Sequence, residues 1–555
     1  MNAPWLKHYQ EGVPHDLPQH GYGSLASLLD EAFKKHGDTT AFILMGSKMS
    51  FAELDERSRC FAAYLQSIGL KKGDRIALMM PNVLAYPVAV AGALRAGLVV
   101  VNTNPLYTVK ELTHQMKDSG AKAIVVLENM AKTVASCKSQ TSLKHVIVTT
   151  IGDLQPTIKR LITNLVVRKI KKMVPAYELP DAVSFREALE KGKAAKFTPT
   201  SGNLDDIAVL QYTGGTTGVS KGAALTHGNV IANVLQVELW FGPALTQIKP
   251  GTTMTMVCAL PLYHIFGFTV NMMLSMRMGG TNLLIPNPRD LPALLKALKG
   301  ETFHSFPGVN TLFGAIARHK DAKSVDWSAL VLSVGGGMAV QKKTAELWEE
   351  LTGTSICEGY GLSETSPVAS ANHTLGTKYT GTVGLPLPGT EMAILSDDGE
   401  KLGVGEAGEI AIKGPQVMVG YWERPDETAK VMTEDGFFRT GDIGVMDENG
   451  WFRIVDRKKD MINVSGFNVY PNEIEDIVAS MPGIIEAAAV ATPDENSGEA
   501  VKLVVVRDDS SIDEAAVKAY CRENLTGYKR PRIVEFRDEL PKTNVGKVLR
   551  RELRD

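Results

Sequence analysis

The chain has 555 residues, of which 44% are hydrophobic and 22% charged, and its formal net charge at pH 7 is −2. That length suggests about three or four structural units, and the composition is typical of a globular protein in water. A charge so close to zero argues against nucleic acid as a partner, and five scattered cysteines without a C-x-x-C pair argue against a disulfide framework or a zinc site.

The first two thirds of the chain alternate short β-branched runs with helical patterns, which predicts parallel sheets covered by helices on both faces. The N-terminal residues contain no apolar core of signal-peptide length. The longest apolar region, 76–101, is interrupted by Pro81, Pro87 and Arg95, so we expect a buried strand–helix–strand unit rather than a membrane span. The predicted strands are 74–80, 97–103, 122–128, 253–260 and 330–337.

The segment 158–174, IKRLITNLVVRKIKKMV, combines apolar residues at helical spacing with basic residues and no acid. This pattern is typical of a helix that lies on a membrane surface. The alternative is an ordinary surface helix whose apolar face packs on the body of the protein, and the sequence leaves both interpretations open. The basic residues are Lys159, Arg160, Arg168, Lys169, Lys171 and Lys172.

The stretch YTGGTTGVSKG, 212–222, has the composition of a phosphate-binding loop. Glycines let backbone amides approach a ligand, hydroxyl groups donate hydrogen bonds, and Lys221 adds a positive charge. The spacing is not that of a P-loop, because Gly222 rather than Ser or Thr follows the lysine. The residues that we expect to bind phosphate are Thr213, Gly214, Gly215, Thr216, Thr217, Gly218, Ser220 and Lys221.

The stretch LPLYHIFG places His264 on an apolar segment, where a lone histidine is more often a satisfied core residue than a functional one. The methionine-rich sequence FTVNMMLSMRMGG follows directly. Methionine adapts to irregular apolar shapes, which suits an alkyl chain, although plain core packing explains the same pattern.

Three short motifs further along are candidates for nucleotide binding. Gly335–Gly337 follow a predicted strand, the position where open α/β sheets bind ligands. In GYGLSET, Tyr360 suits a flat ring and Glu364 suits Mg²⁺, although a turn with a surface glutamate fits equally well. In RTGDIG, Asp442 suits ribose hydroxyls, and an ordinary Asx turn is the alternative.

After Gly381 the glycine and proline content rises, and the strands come at hairpin spacing. From about residue 460 a helix–strand pattern typical of a small α+β domain follows. The charged sequence DRKKD, 456–460, joins the two parts, and PKTNVGKVLRREL places Lys547 near the end. The predicted fold class is α/β: a large N-terminal domain of parallel-sheet layers with a β-rich subdomain, then a small α+β C-terminal domain.

In this order, the motifs YTGGTTGVSKG, LPLYHIFG, GYGLSET, TGD, DRKK and PKTNVGK resemble those of the adenylate-forming, acyl-activating superfamily. The resemblance covers nearly the whole chain. Residues 435–475 are similar to the signature stretch of bacterial long-chain fatty-acid–CoA ligases. The resemblance implies that ATP and a carboxylate form acyl-AMP and pyrophosphate, and that the acyl group then passes to the thiol of CoA.

The resemblance also implies roles for particular residues and a division into domains. It implies an N-terminal adenylation domain over 1–456, a hinge over 457–459 with Lys459 as pivot, and a mobile C-terminal domain over 460–555. Rotation of that domain withdraws Lys547 and brings 465–470 to the site. Ser220 stands where many relatives have proline. The implied catalytic residues are Lys547, His264, Glu364 and Lys221, and the implied Mg²⁺ ligands are Thr213 and Glu364. The implied ATP and CoA contacts are Thr213, Gly214, Gly215, Thr216, Thr217, Gly218, Gly335, Gly336, Gly337, Glu358, Tyr360, Gly361, Asp442, Arg457, Ser465, Gly466 and Phe467.

We therefore expect a long-chain fatty-acid–CoA ligase in the reducing cytoplasm, with peripheral contact to the inner face of the membrane through 158–174. The expected partners are a fatty acid, ATP, CoA and Mg²⁺, and the resemblance also implies a homodimer. One alternative is a ligase for medium-chain or aryl acids. The other is a non-catalytic acyl- or nucleotide-binding uptake protein, which has no need of Lys221, Glu364 and Lys547 together.

Overall fold

In the computed structural model, residues 3–213, 220–376, 378–494, 497–543 and 546–554 are described. Several helices begin at a serine or threonine whose hydroxyl accepts from an amide of the first turn, as at Ser50 and Thr226. Val166–Ile170 and Gly267–Met273 are π-helical. The α-helices are α1 (Leu25–His36), α2 (Phe51–Ser67), α3 (Ala85–Arg95), α4 (Val109–Ser119), α5 (Ala131–Cys137), α6 (Thr157–Leu165), α7 (Phe185–Ala194), α8 (His227–Leu245), α9 (Leu274–Met278), α10 (Leu291–Lys299), α11 (Asn310–Arg318), α12 (Lys342–Thr352), α13 (Pro425–Ala429), α14 (Pro471–Ala479) and α15 (Glu514–Asn524).

Within these described ranges the chain forms four sheets, which are built from the following strands. They are β1 (Thr40–Leu44), β2 (Ser47–Ser50), β3 (Arg75–Met79), β4 (Val99–Asn102), β5 (Ala123–Leu127), β6 (His145–Thr149), β7 (Val183–Ser184), β8 (Ile207–Thr213), β9 (Lys221–Thr226), β10 (Thr255–Cys258), β11 (Thr281–Leu284), β12 (Ser305–Gly308), β13 (Leu332–Gly335), β14 (Ile356–Gly361), β15 (Val368–Ala371), β16 (Leu385–Pro386), β17 (Glu391–Leu395), β18 (Gly408–Lys413), β19 (Gly420–Tyr421), β20 (Phe438–Met446), β21 (Phe452–Arg457), β22 (Ile462–Val464), β23 (Phe467–Val469), β24 (Ile484–Asp494), β25 (Gly498–Arg507) and β26 (Ile533–Phe536).

Two large sheets share the principal hydrophobic core. One has the order β19-β9-β8-β4-β3-β5-β6-β7 and is parallel from β8 to β7, and the other has the order β16-β15-β14-β13-β12-β10-β11-β1-β2 and is parallel from β14 to β1. The predicted strands are confirmed as β3, β4, β5, β10 and β13. Their near-continuous apolar runs are typical of parallel strands that are buried on both faces.

The remaining strands form two smaller sheets. The antiparallel sheet β17-β18-β20-β21 ends at Arg457, and the next sheet, β23-β22-β25-β24 with β26 beside β25, begins at Ile462. The last sheet packs with α14 and α15 around a hydrophobic core of its own. The predicted α/β fold class, with a β-rich part and a small α+β part at the end, is confirmed.

The apolar region 76–101 forms the unit β3–α3–β4, and every residue of α3 is buried, as predicted. A bilayer-crossing helix would have to be longer and more apolar than any helix in the described ranges.

The segment 158–174 forms α6, continues as the π-helix Val166–Ile170 and ends in a turn. The interpretation that its apolar face packs on the body of the protein is wrong. Thr163 and Val167 are buried, whereas the large apolar side chains point to solvent with 50–76% of their surface exposed. Those side chains are Ile158, Leu161, Ile162, Leu165, Ile170 and Met173.

Candidate active site

The two ends of the predicted phosphate loop lie next to each other on adjacent strands. Thr213 ends β8 and is the register partner of Lys221, which begins β9. The Ser220 hydroxyl donates to the Thr213 carbonyl over 2.6 Å, and the ring nitrogen Nε2 of His114 lies 3.0 Å from the Ser220 carbonyl oxygen. These contacts fix both ends of the loop. Its predicted residues Gly214, Gly215, Thr216, Thr217 and Gly218 lie outside the described residues.

Lys221 and Glu364 are joined through Tyr421. The Lys221 ammonium lies 5.1 Å from the centre of the Tyr421 ring and forms an ion pair with Glu427 of α13. The Tyr421 hydroxyl donates to Glu364 Oε1 over 2.8 Å. Burial raises the pKa of Glu364, and the hydrogen bond from Tyr421 opposes that rise. Because Glu364 is 7% exposed, the interpretation as a surface glutamate is wrong.

The short 3₁₀-helix Ser363–Thr365 packs against β8 and β9, which places the Glu364 carboxylate beside the strands that carry Thr213 and Lys221. Carboxylate and hydroxyl oxygens are the hard ligands that Mg²⁺ prefers, together with phosphate oxygens and water. The pair Thr213 and Glu364 therefore fits the ion by its chemistry. Among the residues that the structure describes, no cluster of three or more His, Cys, Asp or Glu side chains is arranged to hold a metal.

A second cluster surrounds Asp442. The Tyr360 hydroxyl donates to Asp442 Oδ2 over 2.6 Å, and Arg457 Nε lies 3.3 Å from Asp442 Oδ1. Asp442 and Arg457 are register partners on β20 and β21, so Asp442 lies in a strand and the Asx-turn interpretation is wrong. Burial, followed by the Asp442 charge, raises the pKa of Tyr360, so its phenol remains a hydrogen-bond donor.

Glycines allow the nucleotide motifs to pack closely. A Cβ atom at Gly335 would lie 2.7 Å from side-chain atoms of Ile356 and Val340. A Cβ atom at Gly336 would lie 3.1 Å from the Phe266 ring, and one at Gly361 would lie 1.9 Å from a backbone oxygen. Gly337 has a positive φ of 77°. The packing therefore leaves no room for a side chain at Gly335, Gly336 or Gly361, and at Gly337 the positive φ disfavours one.

Glu358 is buried beside these glycines, on β14. Burial, followed by the charge of Asp476 on α14, raises the pKa of the Glu358 carboxyl to about 8. Its Oε2 atom has no hydrogen-bond partner among the described residues. The carboxyl is therefore mostly protonated at neutral pH, and one of its buried oxygens is left without a hydrogen-bond partner among the described residues.

His264 lies on the loop between β10 and the π-helix Gly267–Met273. Its Nδ1 atom accepts from the Phe266 amide over 3.3 Å, so in the neutral ring the proton is on Nε2. Burial, followed by the nearby Lys547 ammonium, lowers the pKa of His264 to about 4. At neutral pH this histidine is a hydrogen-bond donor rather than a cation. Phe266, Phe268 and the methionines of the π-helix, which follow it in the chain, are buried in the hydrophobic core.

Lys547 reaches this cluster from the C-terminal part of the chain. A turn between Thr543 and Lys547 holds it, with the Thr543 amide donating to the Lys547 carbonyl over 2.7 Å. Gly546 approaches α11 so closely that a Cβ atom would lie 2.4 Å from Thr311 Oγ1, and Arg289 donates to the Thr543 carbonyl over 3.3 Å. Burial, followed by Arg457, lowers the pKa of Lys547 to about 7, whereas Asp442 raises it.

The predicted hinge connects to Lys547 through Arg550. Arg550 Nη2 donates to Glu475 Oε2 over 2.8 Å, and its Nη1 lies 3.4 Å from Asp460 Oδ2. Lys458 forms an ion pair of 2.6 Å with Asp397, and burial, followed by Arg457, lowers the pKa of Lys459. The segment after the hinge and the segment that carries Lys547 are thus tied together.

Three predicted residues lie apart from this cluster. Ser465, Gly466 and Phe467 are exposed at the hairpin of β22 and β23. The Phe467 ring stacks on Tyr528, with ring centres 4.8 Å apart. Among the described contacts, none joins these three residues to Asp442, Tyr360 or Lys221.

Sequence reasoning did not identify Tyr421 and Glu427, which bind Glu364 and Lys221. They lie in the stretch GYWERPDET, whose acidic and aromatic residues are too common to mark a site. What brings them to the site is strand pairing: β19, which carries Tyr421, pairs with β9, which carries Lys221. This pairing is not written in any local sequence motif.

Comparisons with known proteins show the family to which the chain belongs. Residues 29–422 match the family described as AMP-binding enzyme, and residues 473–547 match the AMP-binding enzyme C-terminal domain. A long-chain-fatty-acid–CoA ligase of Salmonella typhimurium is 53% identical over 556 residues, which cover 100% of this chain and 98% of that protein. The ligase of the same description in Bacillus subtilis is 37% identical over 99% of this chain and 97% of its own length.

Among solved structures, ATP-bound MatB from Rhodopseudomonas palustris superposes with a TM-score of 0.81 at 29% identity, covering 95% of this chain and 98% of that one. The apo form of the same protein gives a TM-score of 0.72 at 30% identity and the same coverage. The structure described above is therefore more similar to the ATP-bound form.

We predict that His264 stays neutral, with its proton on Nε2, until the pH falls to about 4. Because the Lys547 charge is the second cause of the lowered pKa, Lys547→Met raises the pKa of His264 towards its ordinary value. Proton–nitrogen NMR of ring-labelled histidine measures both the tautomer and the titration. Lys542→Met is the matched control, because Lys542 pairs with Glu486. A titration of His264 near pH 6.5 in the unchanged protein would contradict the prediction.

Proposed function

The chain belongs to the AMP-binding enzyme family, and we propose that the site described above activates a long-chain fatty acid with ATP and then transfers the acyl group to CoA. The protein is an AMP-forming acyl-CoA ligase, with acyl-CoA, AMP and pyrophosphate as products. The observation that carries the assignment of residues is the position of Lys547, which the C-terminal part of the chain places beside Asp442, Arg457 and His264.

In the first step, the strand ends at Thr213 and Lys221 hold the ATP phosphates, together with the glycines and threonines of 214–218. The adenine ring lies between the backbone of Gly335–Gly337 and Tyr360. The Asp442 carboxylate accepts from the ribose hydroxyls, and Arg457 contacts the same side of the nucleotide. Glu358 lies on β14 beside these glycines, and its unpartnered buried oxygen supports a contact with the nucleotide.

Thr213 and Glu364 hold the Mg²⁺ ion that accompanies ATP. Bound there, the ion neutralises charge on the phosphate oxygens. The hydrogen bond from Tyr421 keeps the Glu364 carboxylate oriented and favours its ionised form.

Lys547 and His264 act where the fatty-acid carboxylate attacks the α-phosphorus. Two anions must approach each other there, and a cation between them stabilises the charge of the in-line transition state. The negative charge of ATP raises the pKa of Lys547 from about 7, so its ammonium is present when it is needed. His264 is neutral and donates from Nε2 to a carboxylate oxygen without adding a second charge.

In the second step, the C-terminal domain, 460–555, rotates about the hinge 457–459 relative to the N-terminal domain, 1–456. Lys459 is the pivot. Rotation withdraws Lys547 and brings Ser465, Gly466 and Phe467 to the site, where a channel for the CoA arm forms. The exposure of Phe467 and the long hydrogen bond from Arg289 to the Thr543 carbonyl support this proposal, because neither opposes a large movement.

The acyl chain occupies apolar space beyond His264, next to the π-helix Gly267–Met273. This helix is methionine-rich and buried, which suits a flexible alkyl chain, and the curated relatives act on long chains by name. A medium-chain or aryl substrate is the alternative for this pocket. The implied homodimer stays a prediction that light scattering in solution tests.

We predict CoA-dependent pyrophosphate release that rises with the length of a saturated acid and peaks at long chains, with acyl-CoA identified by mass. The buried methionine-rich segment is the physical reason, because each additional methylene that leaves water favours binding by about 0.8 kcal/mol. A peak at medium-chain or aryl acids would keep the mechanism and replace the substrate. ATP binding without turnover of any acid would favour the uptake-protein alternative.

Replacing Lys547 by alanine separates the two steps. We expect acyl-AMP formation to fall by a factor on the order of 10²–10³, because one charge that stabilises the transition state is lost. Thioester formation from supplied acyl-AMP largely persists, because the second step does not use Lys547. Lys542→Ala, five residues earlier and paired with Glu486, is the control. Equal loss of both half-reactions would refute the rotation.

The exposed apolar face of 158–174 supports contact with an anionic membrane. At its edge, Lys159 donates to the carbonyl of Met45, whose own side chain is exposed on the β1–β2 turn. Arg168 pairs with Glu128, and no ion pair of the other basic residues is found among the described residues. An apolar face with uncompensated positive charge around it suits a lipid surface, where fatty acids partition.

We predict that the protein sediments with vesicles that contain phosphatidylglycerol and binds neutral vesicles more weakly. Leu161→Gln with Leu165→Gln removes apolar contact, and glutamine at Arg160, Lys169, Lys171 and Lys172 removes charge, so each variant reduces binding. The control is Val404→Gln with Ile533→Gln, two exposed apolar residues elsewhere. If both test variants sediment like the unchanged protein, this surface does not contact the membrane.

A further inference from the structure

We propose that Asn82, Tyr86 and Gln211 are positioning residues that hold the backbone of the loop carrying His264, and that they tie this loop to the strand carrying the phosphate site. The inference rests on the proposed role of His264. These three side chains are far from His264 in sequence and belong to no motif singled out above. Their hydrogen bonds converge on 258–263, the residues that lead into His264.

Asn82 uses its whole amide group on this loop. Its Nδ2 atom donates to the carbonyls of Cys258 and Leu260 over 2.8 Å and 2.9 Å. Its Oδ1 atom accepts from the Leu262 amide over 2.8 Å. Asn82 is 2% exposed and follows β3, so a residue from one large sheet fixes a loop of the other.

Tyr86, in the first turn of α3, holds the next backbone group. Its hydroxyl proton is shared between the Leu262 carbonyl, 2.8 Å away, and Asn102 Oδ1, 2.5 Å away. Burial raises the pKa of Tyr86 well above its ordinary value, so the proton stays on the phenol. Asn102 in turn donates from Nδ2 to Gln211 Oε1 over 3.0 Å.

Gln211 completes the connection to the phosphate strand. Its Nε2 atom donates to the carbonyl of Tyr263 over 3.2 Å, the residue directly before His264. Gln211 lies on β8, two residues before Thr213, and is 4% exposed. The strand that ends at the phosphate site and the loop that carries His264 are therefore joined through one side chain.

This arrangement does more than satisfy buried backbone groups. Hydrogen bonds are directional, and each member of a buried network restricts the others, so the loop is held in one geometry relative to β8. Attack at phosphorus needs the carboxylate and the phosphate in line, and a displacement of about 1 Å from that geometry can cost about 100-fold in rate. The network therefore sets the position of His264 relative to the phosphates.

The test is a double-mutant cycle on acyl-AMP formation in the full-length protein. Gln211→Met keeps the size of the side chain and removes its hydrogen bonds, and Tyr86→Phe removes one hydroxyl. Each is expected to lower kcat of acyl-AMP formation by about 10- to 100-fold, with little change in KM for ATP. In a His264→Ala background, Gln211→Met is expected to have no further effect, because it acts through His264.

Thr281→Val is the control for a purely structural role. It removes a partly buried hydrogen bond of 2.6 Å from the Thr281 hydroxyl to the Thr40 carbonyl, away from the site. It is expected to lower Tm without changing kcat.

Losses from Gln211→Met and His264→Ala that multiply, or an unchanged kcat in Gln211→Met, would overturn the proposal while leaving the ligase activity intact. Absence of acyl-AMP formation in the unchanged protein would instead overturn the proposed function.

Discussion

The ammonium group of Lys547 is withdrawn from water at a place where its neighbours are a carboxylate, Asp442, and a second cation, Arg457. Burial and Arg457 both disfavour the charged form, and only Asp442 favours it. The charged form of Lys547 is therefore destabilised until an anion binds nearby, and in the proposed mechanism that anion is ATP. In the proposed mechanism, the docked position of the C-terminal domain is coupled to the charge of ATP, because the nucleotide adds negative charge beside Lys547.

The other residues of the candidate site lie on or at the ends of the β-strands β8, β13, β20 and β21. Strands β8 and β13 carry the proposed phosphate and adenine residues at their carboxyl ends, where open α/β sheets bind ligands. The antiparallel pair β20 and β21 delivers Asp442 and Arg457 together, since they are register partners. Because these groups belong to strands, the proposed rotation would move the segment that carries Lys547 relative to them, and Arg550 links that segment to the start of the C-terminal part of the chain.

The sequence predicted those parts of the site that are written as short motifs. Thr213, Lys221, Tyr360, Glu364 and Asp442 each lie in a stretch with unusual composition. The side chains that orient them were not predictable, because they are single residues of common types that meet only when distant strands pair. The same limit applies to 158–174: an amphipathic pattern is identical whether its apolar face is packed or exposed, and tertiary structure alone distinguishes the two. The orienting side chains that the sequence did not predict are Tyr421, Glu427, Asn82, Tyr86 and Gln211.

The ion pair between Lys221 and Glu427 has a consequence for how tightly ATP is held. The ATP phosphates do not bind an unpaired lysine in this proposal, because they must displace the Glu427 carboxylate that already neutralises the Lys221 ammonium. The contribution of Lys221 to affinity is the difference between two ion pairs and is smaller than either alone. Exchanging Glu427 for a phosphate leaves the net charge around Lys221 nearly unchanged. When pyrophosphate leaves, Glu427 can form the ion pair with Lys221 again. The proposed phosphate-binding role of Lys221 therefore implies faster pyrophosphate release and weaker nucleotide binding than an unpaired lysine would give.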